Sequence, residues 1–220
     1  MRASAEPETR EKEEEMMKRL IPLMILLAAF VWSPFAWAEM HHSDFGYVLD
    51  IPSDWTVLSE KNVREKPELV DAAFAAAQKD KDLSDLPKNV LSDVKEMILG
   101  GKVEYYYSLD PRFTISVFKG RGEVPRTSEK LGETCQALPQ ELSKYSKRKI
   151  RVYECKLKPV AGQEALYVVA DDYWKGKKFI QYQVQKAPDR ILLFTASSKD
   201  RDFGEMRDAF DKVMATLKLE

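Results

Sequence analysis

Between Lys102 and Ser198 the chain carries several short runs rich in β-branched and aromatic residues, bounded by turn-forming residues. Such runs are the mark of strands. "KVEYYYSL" and "FTISVFKG" flank Asp110-Pro111-Arg112, which predicts a hairpin. Further strands are expected over Ile150–Leu157, Glu164–Tyr173, Lys178–Gln185 and Arg190–Ser198. Lys175-Gly176-Lys177 and Ala187-Pro188-Asp189 predict tight turns between them, so consecutive strands run antiparallel. Earlier, "FGYVLDIPSDW" reads as a strand with Tyr47, Leu49 and Ile51 on one side, closed by Pro52-Ser53-Asp54. Trp55 is expected to cover one end of the core.

Helical spacing surrounds these strands. Pro67 to Lys79 places Leu69, Val70, Ala73, Phe74 and Ala77 on one face, and Pro87 to Leu99 aligns Val90, Leu91, Val94 and Ile98 before stopping at Gly100-Gly101. A longer helix is expected over Ser128–Ser146, with a break or kink at Pro139. The last segment puts Phe203, Met206, Phe210, Val213, Met214 and Leu217 on one helical face. The pattern predicts an α/β chain of the α+β kind: an α-β-α sandwich with a mostly antiparallel central sheet, as one domain over residues 39–220.

The first 38 residues have a different character. Lys18-Arg19, the apolar run Leu20–Val31 and the small residues of Ala36-Trp37-Ala38 form the three-part layout of a secretory signal peptide. Pro22, Ser33 and Pro34 interrupt the apolar run, and a spanning helix needs roughly 20 apolar residues. Cleavage after Ala38 is expected, leaving a periplasmic or secreted protein without stable membrane insertion. "EPETREKEEE" is acidic where an export signal is positive, so translation is expected to start at Met16 or Met17. Glu39 stands where a lipoprotein needs cysteine. Removing residues 1–38 leaves thirty Lys/Arg and thirty Asp/Glu of the original 35 and 36. This balance argues against nucleic acid as a partner, because binding it requires a basic face. Cys135 and Cys155 in an exported chain read as a disulfide, and otherwise as two buried thiols.

"FGYVLDIPSDWTVL" resembles the strand–proline–tryptophan opening of the PsbP-like superfamily. "YQVQKAPDRILLFTASSKDRDFGEMRDAFDKVMATLKL" is similar to that family's closing strand pair and C-terminal helix, with Asp202-Phe203 as its acidic-aromatic lead-in. The resemblance covers both ends of the mature chain and fits its middle in element order. The helical segment around residues 67–99 and the cysteine pair depart from the familiar pattern. The resemblance implies an α-β-α sandwich and a non-catalytic binding or assembly protein. It transfers no partner-binding residue.

The chemistry-bearing residues are few. His41 and His42 are the only histidines, so a nucleophile with a histidine base would require the N-terminus to fold back over the domain. No catalytic residue is expected, and phosphate-loop, CxxC and HExxH patterns are absent from the sequence. Asp171-Asp172 is expected near a strand end in water. After cleavage His41 becomes the third residue; the amine of Glu39, the amides of Met40 and His41 and the imidazole then offer four planar nitrogens suited to Cu(II) or Ni(II). The plainer alternative is a polar tail whose histidine falls third by chance, without cofactor.

Lys144, Lys147, Arg148, Lys149 and Arg151, with Lys156, Lys158, Tyr145 and Tyr153, make a basic stretch able to receive an unknown protein or an anionic envelope component. Its alternative is a helix C-terminus followed by an exposed strand face. Tyr105-Tyr106-Tyr107 and Tyr173-Trp174 read as core aromatics by default, and otherwise as a binding surface.

Overall fold

A computed structural model describes residues 38–78, 88–108, 114–146 and 148–220. The expected turn Asp110-Pro111-Arg112, the leader and Lys147 lie outside the described residues, and so do the side chains of Phe74, Ala77, Val90, Leu91 and Tyr145.

Among the described residues, ten strands make two sheets. The larger has the order β3(Trp55–Leu58)-β4(Val103–Ser108)-β5(Thr114–Arg121)-β9(Arg190–Lys199)-β8(Lys177–Ala187)-β7(Gln163–Asp171)-β6(Val152–Val160). Every neighbouring pair in it is antiparallel. The smaller sheet has the order β1(Ala38–Ser43)-β2(Tyr47–Pro52)-β10(Lys218–Leu219). The α+β class and the largely antiparallel sheet agree with the sequence pattern.

Strand alternation assigns each face its cover. Tyr106, Val117, Tyr167, Ile180 and Phe194 point to one side, where they meet Tyr47, Leu49 and Ile51 of β2 and Met206, Phe210, Val213 and Met214 of α5(Phe203–Ala215). Leu166, Val168, Ala170 and Ile191 point to the other side and meet Leu131, Leu138 and Leu142 of α4(Ser128–Ser146). At the far end of that side, Val103, Tyr107 and Leu58 pack with Val63 of α1(Glu60–Glu65), Val70 of α2(Glu68–Gln78) and Ile98 of α3(Lys88–Leu99).

Two local expectations change, and one short helix is added. Helix α4 continues through Pro139. Proline removes one backbone donor, but seven residues of helix follow, and its own carbonyl accepts from Ser143 Oγ at 2.5 Å. Residues 39–43, open to reading as a polar tail, form with Ala38 a strand paired from Ala38↔Pro52 to Ser43↔Tyr47. Its hairpin turn closes through Gly46 N–H to the Ser43 carbonyl, with Gly46 at φ 77°. A Cβ there would stand 2.7 Å from Lys186 Nζ, so a side chain would both strain the backbone and displace the lysine tip. Helix α1, capped by Ser59 Oγ on the Asn62 amide, carries too few residues for a periodic signal.

Cys135 of α4 and Cys155 of β6 are joined by a disulfide with Cα atoms 5.7 Å apart. The bond fastens the helix to the edge strand of the large sheet. Closing a loop of this length restricts the unfolded chain by about 3 kcal/mol. Replacing both cysteines by serine is expected to lower the melting temperature by about 10 °C. A calorimetric scan checks this, and the reductant-treated native protein should show the same shift.

Candidate functional site

Two places concentrate polar chemistry. The first lies between the sheets, beneath β1 and β2. Glu104 is on the same face of β4 as Tyr106 and is 1% exposed. Its Oε2 accepts from Tyr47 at 2.6 Å, Ser43 at 2.8 Å and Tyr106 at 3.0 Å, and the two phenols lie 2.5 Å apart. Burial, followed by the nearby charges, pushes both phenols well above the ordinary tyrosine range. His41 stands edge-on to Tyr106 with ring centroids 5.5 Å apart. Burial lowers the His41 pKa, opposed by the charges of Glu104, Asp44 and Glu39 and assisted by His42.

A cleft of about 400 Å³ opens beside this cluster, between Glu39–His42 of β1 and Trp55–Val57 of β3 with Asn62, Glu65 and Lys66 of the α1 region. Met40, 55% exposed, lies on its rim. The candidate metal set Glu39, Met40 and His41 therefore sits on the cleft wall, within a strand paired to β2. Planar chelation through the amides of Met40 and His41 competes with that pairing. Among the described residues no three His, Cys, Asp or Glu side chains converge to hold a metal ion. His42 Nδ1 lies 2.9 Å from Glu220 Oε1, tying β1 to the chain end.

The second place is the β7–β8 turn. Tyr173 and Trp174, expected by default to be core residues, are each 48% exposed. The turn beneath them is tied down. Asp172, expected in water, is buried and accepts from the Trp174 amide at 3.2 Å and from Ser197 Oγ. The Arg148 guanidinium donates to the carbonyls of Asp172 and Trp174, the latter at 3.4 Å. Asp171 accepts from the Arg151 amide at 3.1 Å and from Tyr153 at 2.8 Å. That bond, then burial, raises the Tyr153 pKa. Lys178 sits 4.9 Å from the Tyr153 ring centre, and the Arg151 guanidinium sits 6.0 Å from it.

The basic stretch is thereby divided. Arg148, Lys149 and Arg151 gather near the aromatic turn, whereas Lys156 and Lys158 cross to the α5 side. There Lys156 bonds Glu154 and Lys158 bonds Asp211, each at 2.7 Å or less, while Arg207 joins Glu154. Lys144 pairs with Glu141 within α4. The aromatic turn was the part most easily overlooked. Its signal was two large aromatic residues directly followed by Lys175-Gly176-Lys177, which places them on a turn rather than within a strand.

No protein-family model matches the chain, and no curated protein matches it. Among solved structures it is similar to cyanobacterial PsbP (CyanoP) from Synechocystis, with a TM-score of 0.51 and 10% identity over 86% of this chain and 96% of that one. It is also similar to a Bacteroides thetaiotaomicron protein, at a TM-score of 0.40 and 10% identity over 84% of this chain and 49% of that one. LpqN of Mycobacterium tuberculosis, described as involved in cell envelope biogenesis, is similar at a TM-score of 0.37 and 13% identity, over 53% of this chain and 70% of that one. At 10% identity the likeness to cyanobacterial PsbP is one of fold.

Glu104→Leu leaves three buried hydroxyls without their acceptor, and is expected to cost at least about 3 kcal/mol in denaturant unfolding. For His41, a folded pKa below the unfolded value of about 6.5 means that only the unfolded chain gains a proton as pH falls through that value. Stability should therefore drop from about pH 6.5 down to the lowered folded pKa, and His41→Gln should flatten this slope in melts across the acid range. Above about pH 10 the reverse holds for Tyr47 and Tyr106: the unfolded chain loses protons that the fold retains, and stability falls again.

Proposed function

We propose that this chain is an exported member of the PsbP-like superfamily, acting as a non-catalytic binding or assembly accessory protein of the cell envelope. The fold-level likeness to cyanobacterial PsbP supports the first part. The leader-like segment and the disulfide support export, because such bonds persist in oxidising compartments. Among the described residues no helix is long and apolar enough to cross a membrane.

The two cysteines and two histidines each have a structural engagement. Both cysteines form the disulfide, His41 packs on Tyr106, and His42 bonds Glu220. The observation that carries the binding reading is the β7–β8 turn: two half-exposed aromatic rings held out by Arg148, with Lys149, Arg151, Lys175, Lys177 and Lys178 around them. A fixed aromatic pair presents large contact area at little conformational cost, which is what a recognition surface requires.

Fractionation of the cells that make the protein tests this. The mature chain is expected to begin at Glu39 and to sediment with the envelope until washed with high salt, whereas the Tyr173→Ala/Trp174→Ala form should appear in the soluble fraction. An unchanged distribution for the double variant would overturn the assignment of the turn.

A further inference from the structure

We infer that the partner of the β7–β8 turn is the surface of an anionic lipid bilayer, a proposal that rests on the docking role given to that turn. Adjacent Tyr173 and Trp174 form an amphipathic tip of the type that settles at headgroup depth, with an apolar ring body and a polar handle. Lys175, Lys177 and Lys178 follow the tip directly, and Arg148, Lys149 and Arg151 come alongside from the α4–β6 connection. The nearest carboxyl groups are turned into the structure: Asp171 onto a backbone amide and the Tyr153 hydroxyl, Asp172 onto the Trp174 amide and Ser197. Asp200 remains outside and pairs with Lys178 at 3.3 Å. The turn thus shows a bilayer an aromatic point flanked by the exposed cations Lys149, Arg151 and Lys175, while Arg148 and Lys178 are engaged within the protein.

The lysines favour lipid over a protein face. Lysine is depleted from the centres of protein interfaces, where its ammonium must be dehydrated, whereas next to charged headgroups it stays hydrated and still contributes attraction. The bonding of the turn has the same implication. Arg148 and Asp172 tie down the backbone behind Tyr173 and Trp174, so docking requires no refolding of the loop.

The test uses the mature, disulfide-bonded chain with vesicles of phosphatidylcholine alone or of phosphatidylcholine mixed with phosphatidylglycerol, read by co-sedimentation and tryptophan fluorescence. Binding is expected to be about tenfold or more tighter on the anionic vesicles and to weaken with salt. Tyr173→Ala/Trp174→Ala should abolish it, and Lys175→Glu/Lys177→Glu should weaken it about tenfold or more. Lys212→Glu on exposed α5 should leave it within about twofold.

Equal binding to both vesicles, or loss with Lys212→Glu as large as with the turn variants, overturns the proposal. So does the absence of vesicle binding. A photo-crosslinking residue at position 174 in living cells then separates the two failures: a protein adduct there means that the turn docks on protein and only the lipid assignment is wrong, whereas no adduct of any kind means that the turn is not a docking surface.

Discussion

The Glu104 carboxyl group, sealed beneath Tyr47, Tyr106 and Ser43, is the constraint around which the two sheets are arranged. A polar group this deeply buried is strongly destabilising unless its hydrogen bonds are made. Here the donors come from both sheets, Ser43 and Tyr47 from the β1–β2 hairpin and Tyr106 from β4 itself. The small sheet must consequently lie in one position over the large one. Apolar packing of Leu49 and Ile51 would tolerate a shift along the sheet, but three hydroxyls converging on one oxygen do not. The same fixed placement brings β10 beside β2 and seats α5 on the remaining part of that face.

A second mechanical chain runs through the opposite layer to the β7–β8 turn. The Cys135–Cys155 bond fixes α4 to β6. At the helix end Ser143 accepts from the Ile150 amide at 2.9 Å, and Ile150 is buried against the sheet. Ser146 accepts from the Arg148 amide at 3.3 Å and donates to its carbonyl at 2.7 Å. These contacts determine where the Arg148 guanidinium lies, and Arg148 in turn holds the carbonyls behind Tyr173 and Trp174. The helix that the disulfide ties to the sheet thus leads directly into the segment carrying Arg148.

Much of this was legible in the sequence. Turn-bounded runs over residues 163–199, continuously apolar in β7 and closer to alternating in β8 and β9, marked these three strands, and both connecting turns fell where Gly176 and Pro188 indicated. The helical face of α5 was equally plain. What escaped was short or depended on distant partners. β1 has six residues with two histidines and one glutamate, so nothing local reveals that β2 will pair with it. Asp172 is polar and near a strand end, and only Ser197 of a neighbouring strand shows why it is buried. Glu104 could have been found. It stands two residues from Tyr106 on a strand, so a core position for the tyrosine entails one for the acid.

Hydrogen–deuterium exchange of the disulfide-bonded mature protein, with and without membranes from the cell that makes it, tests most directly that the β7–β8 turn is the working surface. Added protection confined to residues 148–153 and 172–178 is the predicted result. Protection centred on β1 and the cleft beside His41, with the turn unchanged, would contradict the account.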